Sequence, residues 1–357
     1  MNKSFHIHEP DTTIRTALIQ KINHLNKPLG SLGRLEELAL QAGLIQQNTE
    51  PALHHPCHLL FGADHGIERE GVSLSPREIT WQQMINFTKG GGGINMFCRQ
   101  HHFELYLIDV GVDYDLSAYP AILNHKIAYG TKNFKYEEAM TDDQANKCIS
   151  IGADMVTKCY DKGCNVISIG EMGIGNTSPS SVWMHLLTHT PLEECVGAGA
   201  GLNGNGIQHK LNILKEAVQH FWETHPYYQS DSCQPSFYED VMKWFGGFEM
   251  VSAIGAMLKA AEQEMIILVD GFIMTACILM ASKLYPAVKD YAIFCHEGNE
   301  TGHKKMLQAL GAKGLLNLDL RLGEGTGALC AYPLLESAIR MINEMNSFEN
   351  ANITKYF

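Results

Sequence analysis

Residues 165–181 read NVISIGEMGIGNTSPSS. Val166 to Ile169 form a short β-prone run, glycines follow at 170, 173 and 175, and Thr177 and Ser178 open a helical stretch. A strand that ends in a polar, glycine-rich loop and passes into a helix is the building unit of a parallel α/β sheet. Whether that unit recurs decides the fold.

It recurs along most of the chain. HLLFGADHG (58–66), ELYLIDVGVD (104–113), EECVGAGAGLNG (193–204), EMIILVDGF (264–272), DYAIFCHEG (290–298) and NLDLRLGEG (317–325) repeat the form. Each is a few apolar residues followed by glycine with Asp, Glu or Asn, so each predicts a strand and its terminal loop. Residues 141–160, 206–223, 248–263 and 271–284 carry helical periodicity between them. The expectation is a doubly wound α/β fold, with a mainly parallel sheet and crossover helices. Ligands of such sheets bind at the carboxyl ends of the strands, where these loops fall.

The flanks are helical. Residues 11–48 predict two helices joined by NKPLGSLGR (26–34), with Ser31 as N-cap of the second. The last helical run, 326–346, contains Pro333, which predicts a kink or a fresh helix start. HPYYQSDSCQPSFY (225–238) predicts a long surface loop.

With 357 residues, 45% hydrophobic and 18% charged, the chain has globular composition and length for a large core. A formal net charge of -12 argues against nucleic acid or an anionic membrane as main partner. Ten scattered cysteines with no CxxC predict reduced, mostly buried thiols in a cytoplasmic protein. The N-terminus lacks an apolar core, so no signal peptide is expected. The longest apolar stretch (265–281) is broken by Asp270 and Gly271 and reads as strand, turn and helix.

Several loops carry candidate chemistry. GEMGIGNTSPSS (170–181) suits a phosphate at a helix N-terminus, through backbone N–H groups and hydroxyls. A tight turn with a Ser or Thr N-cap explains it equally well. VGAGAGLNGNGIQHK (196–210) adds Lys210, which taken alone reads as a solvated helix lysine. Asp64 and His65 are adjacent and would point oppositely in a strand, so one of them is expected to order a loop. His185 and His189 stand at helical i, i+4 spacing without a third ligand, which disfavours a metal. His296 and Glu300, in HEGNETGH (296–303), fall at a strand end and therefore near the site. Glu324, framed by Gly323 and Gly325, reads as either a turn residue or a reagent. Spacing alone leads to an α/β enzyme for a phosphate-bearing small molecule.

NKPLGSLGRLE, GADHGIEREGVSLSP, GEMGIGNTS, LVDGF, HEGNETGH and LRLGEGTGA together resemble the nicotinate-nucleotide:dimethylbenzimidazole phosphoribosyltransferase family, in order and over nearly the whole chain. The resemblance implies transfer of 5-phosphoribose from nicotinate mononucleotide to 5,6-dimethylbenzimidazole, giving α-ribazole 5′-phosphate and nicotinate. It implies a large α/β domain (51–334), a small helical domain (1–50 and 335–357), a homodimer, and no metal or organic cofactor. By position, Glu324 matches the general base. Ser75, Gln83 and Leu322 match the base pocket. Glu171, Asp270, Gly271 and Phe272 match the ribose and nucleotide site. Gly175, Asn176, Thr177, Gly199 and Lys210 match the phosphate site. Glycines 323 and 325 would then give clearance for a flat ring. The chain departs from the family pattern at Leu29, at Ala198 and Ala200 (where many members read VGRGTG), and in HEGNETGH, which lacks the usual Ser and Pro. Two other readings remain: a related transferase using adenine or a phenol as acceptor, and a non-catalytic nucleotide-binding protein.

Overall fold

The computed structural model describes residues 2–199, 201–230 and 232–355. Six strands form one sheet: β1 (Cys57–Ala63), β2 (Glu104–Gly111), β3 (Ile122–Asn124), β4 (Val166–Met172), β5 (Ile266–Val269) and β6 (Ala292–Phe294). Their order is β3-β2-β1-β4-β5-β6, and every pairing is parallel. β1 is buried along its whole length, as is β5, so helices cover both faces and both strands are apolar except at His58.

The chain steps outward from β1 to β3, then returns to set β4 on the other side of β1. At such a reversal the loops leaving neighbouring strands diverge and open a crevice. The loops after β1 and β4, and so the GEMGIGNTS segment, lie at this switch point.

Four predicted helices occur as Asp142–Tyr160, Gly204–Thr224, Phe248–Glu262 and Phe272–Leu284. Two helices, Arg15–His24 and Arg34–Ile45, fill the N-terminal segment. The second is preceded by Gly33 at φ +49°, not capped by Ser31; its entry is tied instead by Glu36, which accepts from Leu32 N and pairs with buried Lys27 at 2.8 Å. This helix packs on Thr326–Glu344, and Asn343 donates to the Pro51 carbonyl, so the two ends of the chain meet.

Other expectations are corrected. The fresh helix start at Pro333 does not occur: Thr326–Glu344 is one continuous helix with Pro333 inside it. The loop expected over 225–238 ends at Gln234, because Pro235 starts the helix Pro235–Phe245 from its first position. At EECVGAGAGLNG the short helix Leu192–Cys195 stands at the start, and the described residues of the segment include no strand. NLDLRLGEG is not a strand either. Leu315 and Leu316 bond briefly to Phe294 and Cys295, but Asp319, Gly323, Glu324 and Gly325 have positive φ, which a strand cannot contain. The three-residue edge strand β3 had no signal in the sequence.

Candidate active site

A cavity of about 440 Å³ opens at the carboxyl ends of the strands. Ser75, Gln83, Leu322 and Glu324 line one part of it. Glu171, Asp270, Gly271 and Phe272 line the middle, and Gly175, Asn176, Thr177 and Gly199 line the far corner. His296, Glu300 and Arg321 also reach it. Of the residues expected in the site, Lys210 alone stands behind the wall.

Glu324 sits in a left-handed turn. Its φ is +61°, between Gly323 at +81° and Gly325 at +82°. Left-handed backbone costs an ordinary residue roughly 1–2 kcal/mol, so the surroundings must hold it. They do so through the carboxylate: Gln83 Nε2 donates to Oε1 at 2.8 Å, and the Ile94 backbone N–H donates to Oε2 at 3.0 Å. Ile94 belongs to the first turn of the helix Gly93–His101, whose free N–H groups favour an anion. Burial pushes the Glu324 pKa up, the bonds from Ile94 and Gln83 pull it down, and the net shift is upward. The charge of a carboxylate so held is solvated by protein rather than by water, and such a group can accept a proton.

The glycine frame also has a cause within the protein. A Cβ on Gly323 would stand 2.5 Å from Glu171 Oε1, and one on Gly325 would stand 2.2 Å from His58 Cε1. The missing side chains make room for these neighbouring protein groups.

Glu171 ends β4 and is buried, and its pKa is pushed up to about 8. Burial is the main cause, opposed by a hydrogen bond from Asn176 Nδ2 and reinforced by the charges of Glu249 and Asp270. Asn176 occupies the cap position of Thr177–Thr188 but turns its side chain to Glu171, so the Ser or Thr cap weighed from the sequence does not form. Asp270 accepts from Ala328 N at 3.0 Å and so anchors the start of the helix Thr326–Glu344; it also lies 3.3 Å from His296 Nε2. Burial would lower the His296 pKa, but the Asp270 bond and charge, with Glu300, outweigh it and raise it.

At the far corner Gly175 turns at φ +96° and the helix Thr177–Thr188 begins. Lys210 is fully buried, contrary to the solvated lysine expected from periodicity alone. Its Nζ donates to Thr177 Oγ1 at 2.7 Å, and burial lowers its pKa to about 7. Gly199, at φ +51°, lies against the same hydroxyl, while Ala200 lies outside the described residues. Thr177 thus links a cavity-lining hydroxyl to a buried amine.

Asp64 and His65 both follow β1 in its loop. Asp64 Oδ2 accepts from Asp113 N at 2.7 Å, and His65 Nε2 lies 2.6 Å from Glu249 Oε1, both side chains buried. His185 Nδ1 bonds the Thr190 carbonyl, and His189 ends its helix in a left-handed conformation. Among the described residues no group of three or more His, Cys, Asp or Glu could hold a metal ion, and no helix is long and apolar enough to cross a membrane. All ten cysteines are free. Sequence reading missed Glu249 and His58, each a polar residue within an apolar stretch and without a motif of its own.

A family model described as phosphoribosyltransferase matches residues 7–353. A curated protein of Bacteroides fragilis named nicotinate-nucleotide--dimethylbenzimidazole phosphoribosyltransferase is 60% identical over 355 residues, covering 99% of this chain and 100% of its own. The chain belongs to the nicotinate-nucleotide–dimethylbenzimidazole phosphoribosyltransferase family. A member from Dechloromonas aromatica with the same name is 45% identical over 98% of this chain and 99% of its own. A crystal structure of CobT from Thermus thermophilus matches with a TM-score of 0.89 and 34% identity, over 96% of this chain and 99% of that one. The whole length, and with it every loop of the cavity, therefore falls within the family.

Proposed function

We propose that the chain transfers 5-phosphoribose from nicotinate mononucleotide to 5,6-dimethylbenzimidazole, releasing nicotinate and giving α-ribazole 5′-phosphate. The observation that carries this reading is Glu324: one buried carboxylate, hydrogen-bonded on both oxygens, at the wall of a cavity that ends in an anion-competent corner.

Glu324 accepts the N–H proton of the benzimidazole while the other ring nitrogen attacks C1′ of the ribose. The C1′–pyridinium bond breaks, and its electron pair returns to the pyridine nitrogen, so nicotinate leaves without acid assistance. Attack opposite the leaving group inverts a β-glycosidic bond to α. Ser75, Gln83 and Leu322 border the acceptor. Glu171 and the Asp270–Phe272 segment border the ribose. Gly175, Asn176, Thr177 and Gly199 receive the phosphate, with Lys210 behind Thr177; an arriving dianion favours the charged amine. The chemistry draws on no metal or organic cofactor.

The meeting of the chain ends supports a small helical unit, residues 1–50 with the segment from 335 onward, beside a larger α/β unit. Exposed Leu322, which lines the cavity, and exposed Leu74, between the lining residues Ser73 and Ser75, support a homodimer whose partner borders the site. The free cysteines agree with a cytoplasmic setting.

The test is nicotinate release from the mononucleotide with and without dimethylbenzimidazole. The reading requires acceptor-dependent release. Release that ignores the base, or none with any of benzimidazole, adenine or phenol, would overturn it.

A further inference from the structure

Beneath the Glu324 turn lies a buried polar pair that takes no part in the proposed chemistry. His58 of β1 and Ser168 of β4 face each other directly in the parallel register. His58 Nδ1 lies 2.9 Å from Ser168 Oγ, and both residues are wholly buried. The other ring nitrogen, Nε2, is buried without a close hydrogen-bond partner and faces the Glu324 carbonyl. The ring is wedged there: a Cβ on Gly325 would meet His58 Cε1 at 2.2 Å. A Cβ on Gly170 would meet both His58 Nε2, at 2.7 Å, and the Glu324 carbonyl oxygen, at 2.3 Å.

We propose that His58, oriented by Ser168, is a positioning residue that holds the left-handed backbone at Glu324 and so aims its carboxylate. The inference rests on the reading of Glu324 as the base. Glu324 is a non-glycine residue at positive φ, a conformation that is costly and needs support from more than one side. Gln83 and the Ile94 N–H secure the carboxylate; His58 secures the backbone from below. Burial keeps the ring neutral, with its pKa down at about 4, so it carries a single N–H. A Ser168 hydroxyl that donates to Nδ1 puts that N–H on Nε2, toward the carbonyl. Asp270 is the charged group that acts on both His58 and Glu324. An apolar residue of similar size would fill the space but offer no N–H toward the carbonyl.

The test compares His58→Leu, His58→Gln and Ser168→Ala by steady-state kinetics and by the pH profile of kcat/KM for the base. Misaimed catalytic groups cost about 10- to 100-fold, so His58→Leu should lose that much kcat with the mononucleotide KM little changed. Its acid limb should move to higher pH, because Glu324 loses the hydrogen bonds that hold its pKa down. His58→Gln, which restores an N–H, should recover most of both, and Ser168→Ala should shift both in the same direction by less. An unmoved limb in Ser168→Ala, or a His58→Gln no better than His58→Leu, overturns the inference; should His58→Leu not fold, Ser168→Ala decides. Failure of the Glu324 reading itself is told apart by Glu324→Gln, whose full turnover would remove the base whatever His58 does.

Discussion

Two glycine-rich loops line the cavity, and they are built in opposite ways. The Gly173–Thr177 loop is set by its own neighbours in sequence: a seven-residue strand feeds it and a twelve-residue helix leaves it. The Gly323–Gly325 loop has no strand before it and is set from a distance, by Gln83, Ile94, Glu171 and His58. Their buried ionisable groups also differ in sign. Burial lowers Lys210 at the first loop and raises Glu324 at the second, in each case penalising the charged form. On the proposed reading, one corner gains charge when an anion arrives, and the other gains a proton when a base gives one up.

The sharpest way to break this contrast is at the second loop. Glu324→Gln keeps the shape and removes the proton acceptor, so kcat should fall about 10²- to 10⁴-fold, as for loss of a general base. The mononucleotide KM should stay within a few-fold. Undiminished kcat in steady-state assays would make both loops mere binding elements.

At the first loop Lys210→Met keeps most of the buried volume and removes the amine. A charge-assisted hydrogen bond is worth about 1.5–3 kcal/mol, so the mononucleotide KM should rise roughly 10- to 100-fold while the KM for the base holds. Equal movement of both constants would mean that the amine supports the fold and not the phosphate.

Two alanines separate local from distant construction. Gly323→Ala adds left-handed strain and a Cβ 2.5 Å from Glu171 Oε1, so urea unfolding should show a loss of about 2–4 kcal/mol. Gly175→Ala adds the strain, but its Cβ would meet Glu68 at an ordinary 3.5 Å, so the loss should be nearer about 1–2 kcal/mol. Equal losses would show that backbone strain alone governs both turns.

The smallest effect is a pair of opposed pH slopes. Glu171 holds its proton up to about pH 8 when folded, whereas the unfolded side chain releases it near 4.5, so its contribution to stability declines as pH rises between those values. Lys210 is neutral above about pH 7 when folded but charged up to about 10.5 unfolded, so its contribution improves with pH across that window. Each slope is at most about 1.4 kcal/mol per pH unit. Urea titrations of Glu171→Gln and Lys210→Met should each flatten one limb; a variant that flattens the other limb would refute the assignment.

These two constructions explain what could be read in advance. Strand, loop and helix around residues 166–188 were legible because apolar period and glycine position are local signals. The same form misled at residues 317–325, where an apolar alternation looked like a strand and left Leu318 and Leu322 more than half exposed. Lys210 was misread for a related reason. Helical spacing says which face a residue occupies, not whether another loop will close over it, and here Thr177 and Gly199 do.

The sequence by itself determined a parallel α/β fold with its polar loops at strand ends, and the family motifs named the residues that meet there. Tertiary structure alone decided the reversal between β1 and β4, the burial of Lys210, and the grip on Glu324 by groups up to 241 positions away. The division is physical. Hydrophobic period and turn chemistry act over a few residues, so they are written in neighbouring letters. Desolvation and the hydrogen bonds that offset it depend on which distant segments share a volume, and only the folded chain sets that.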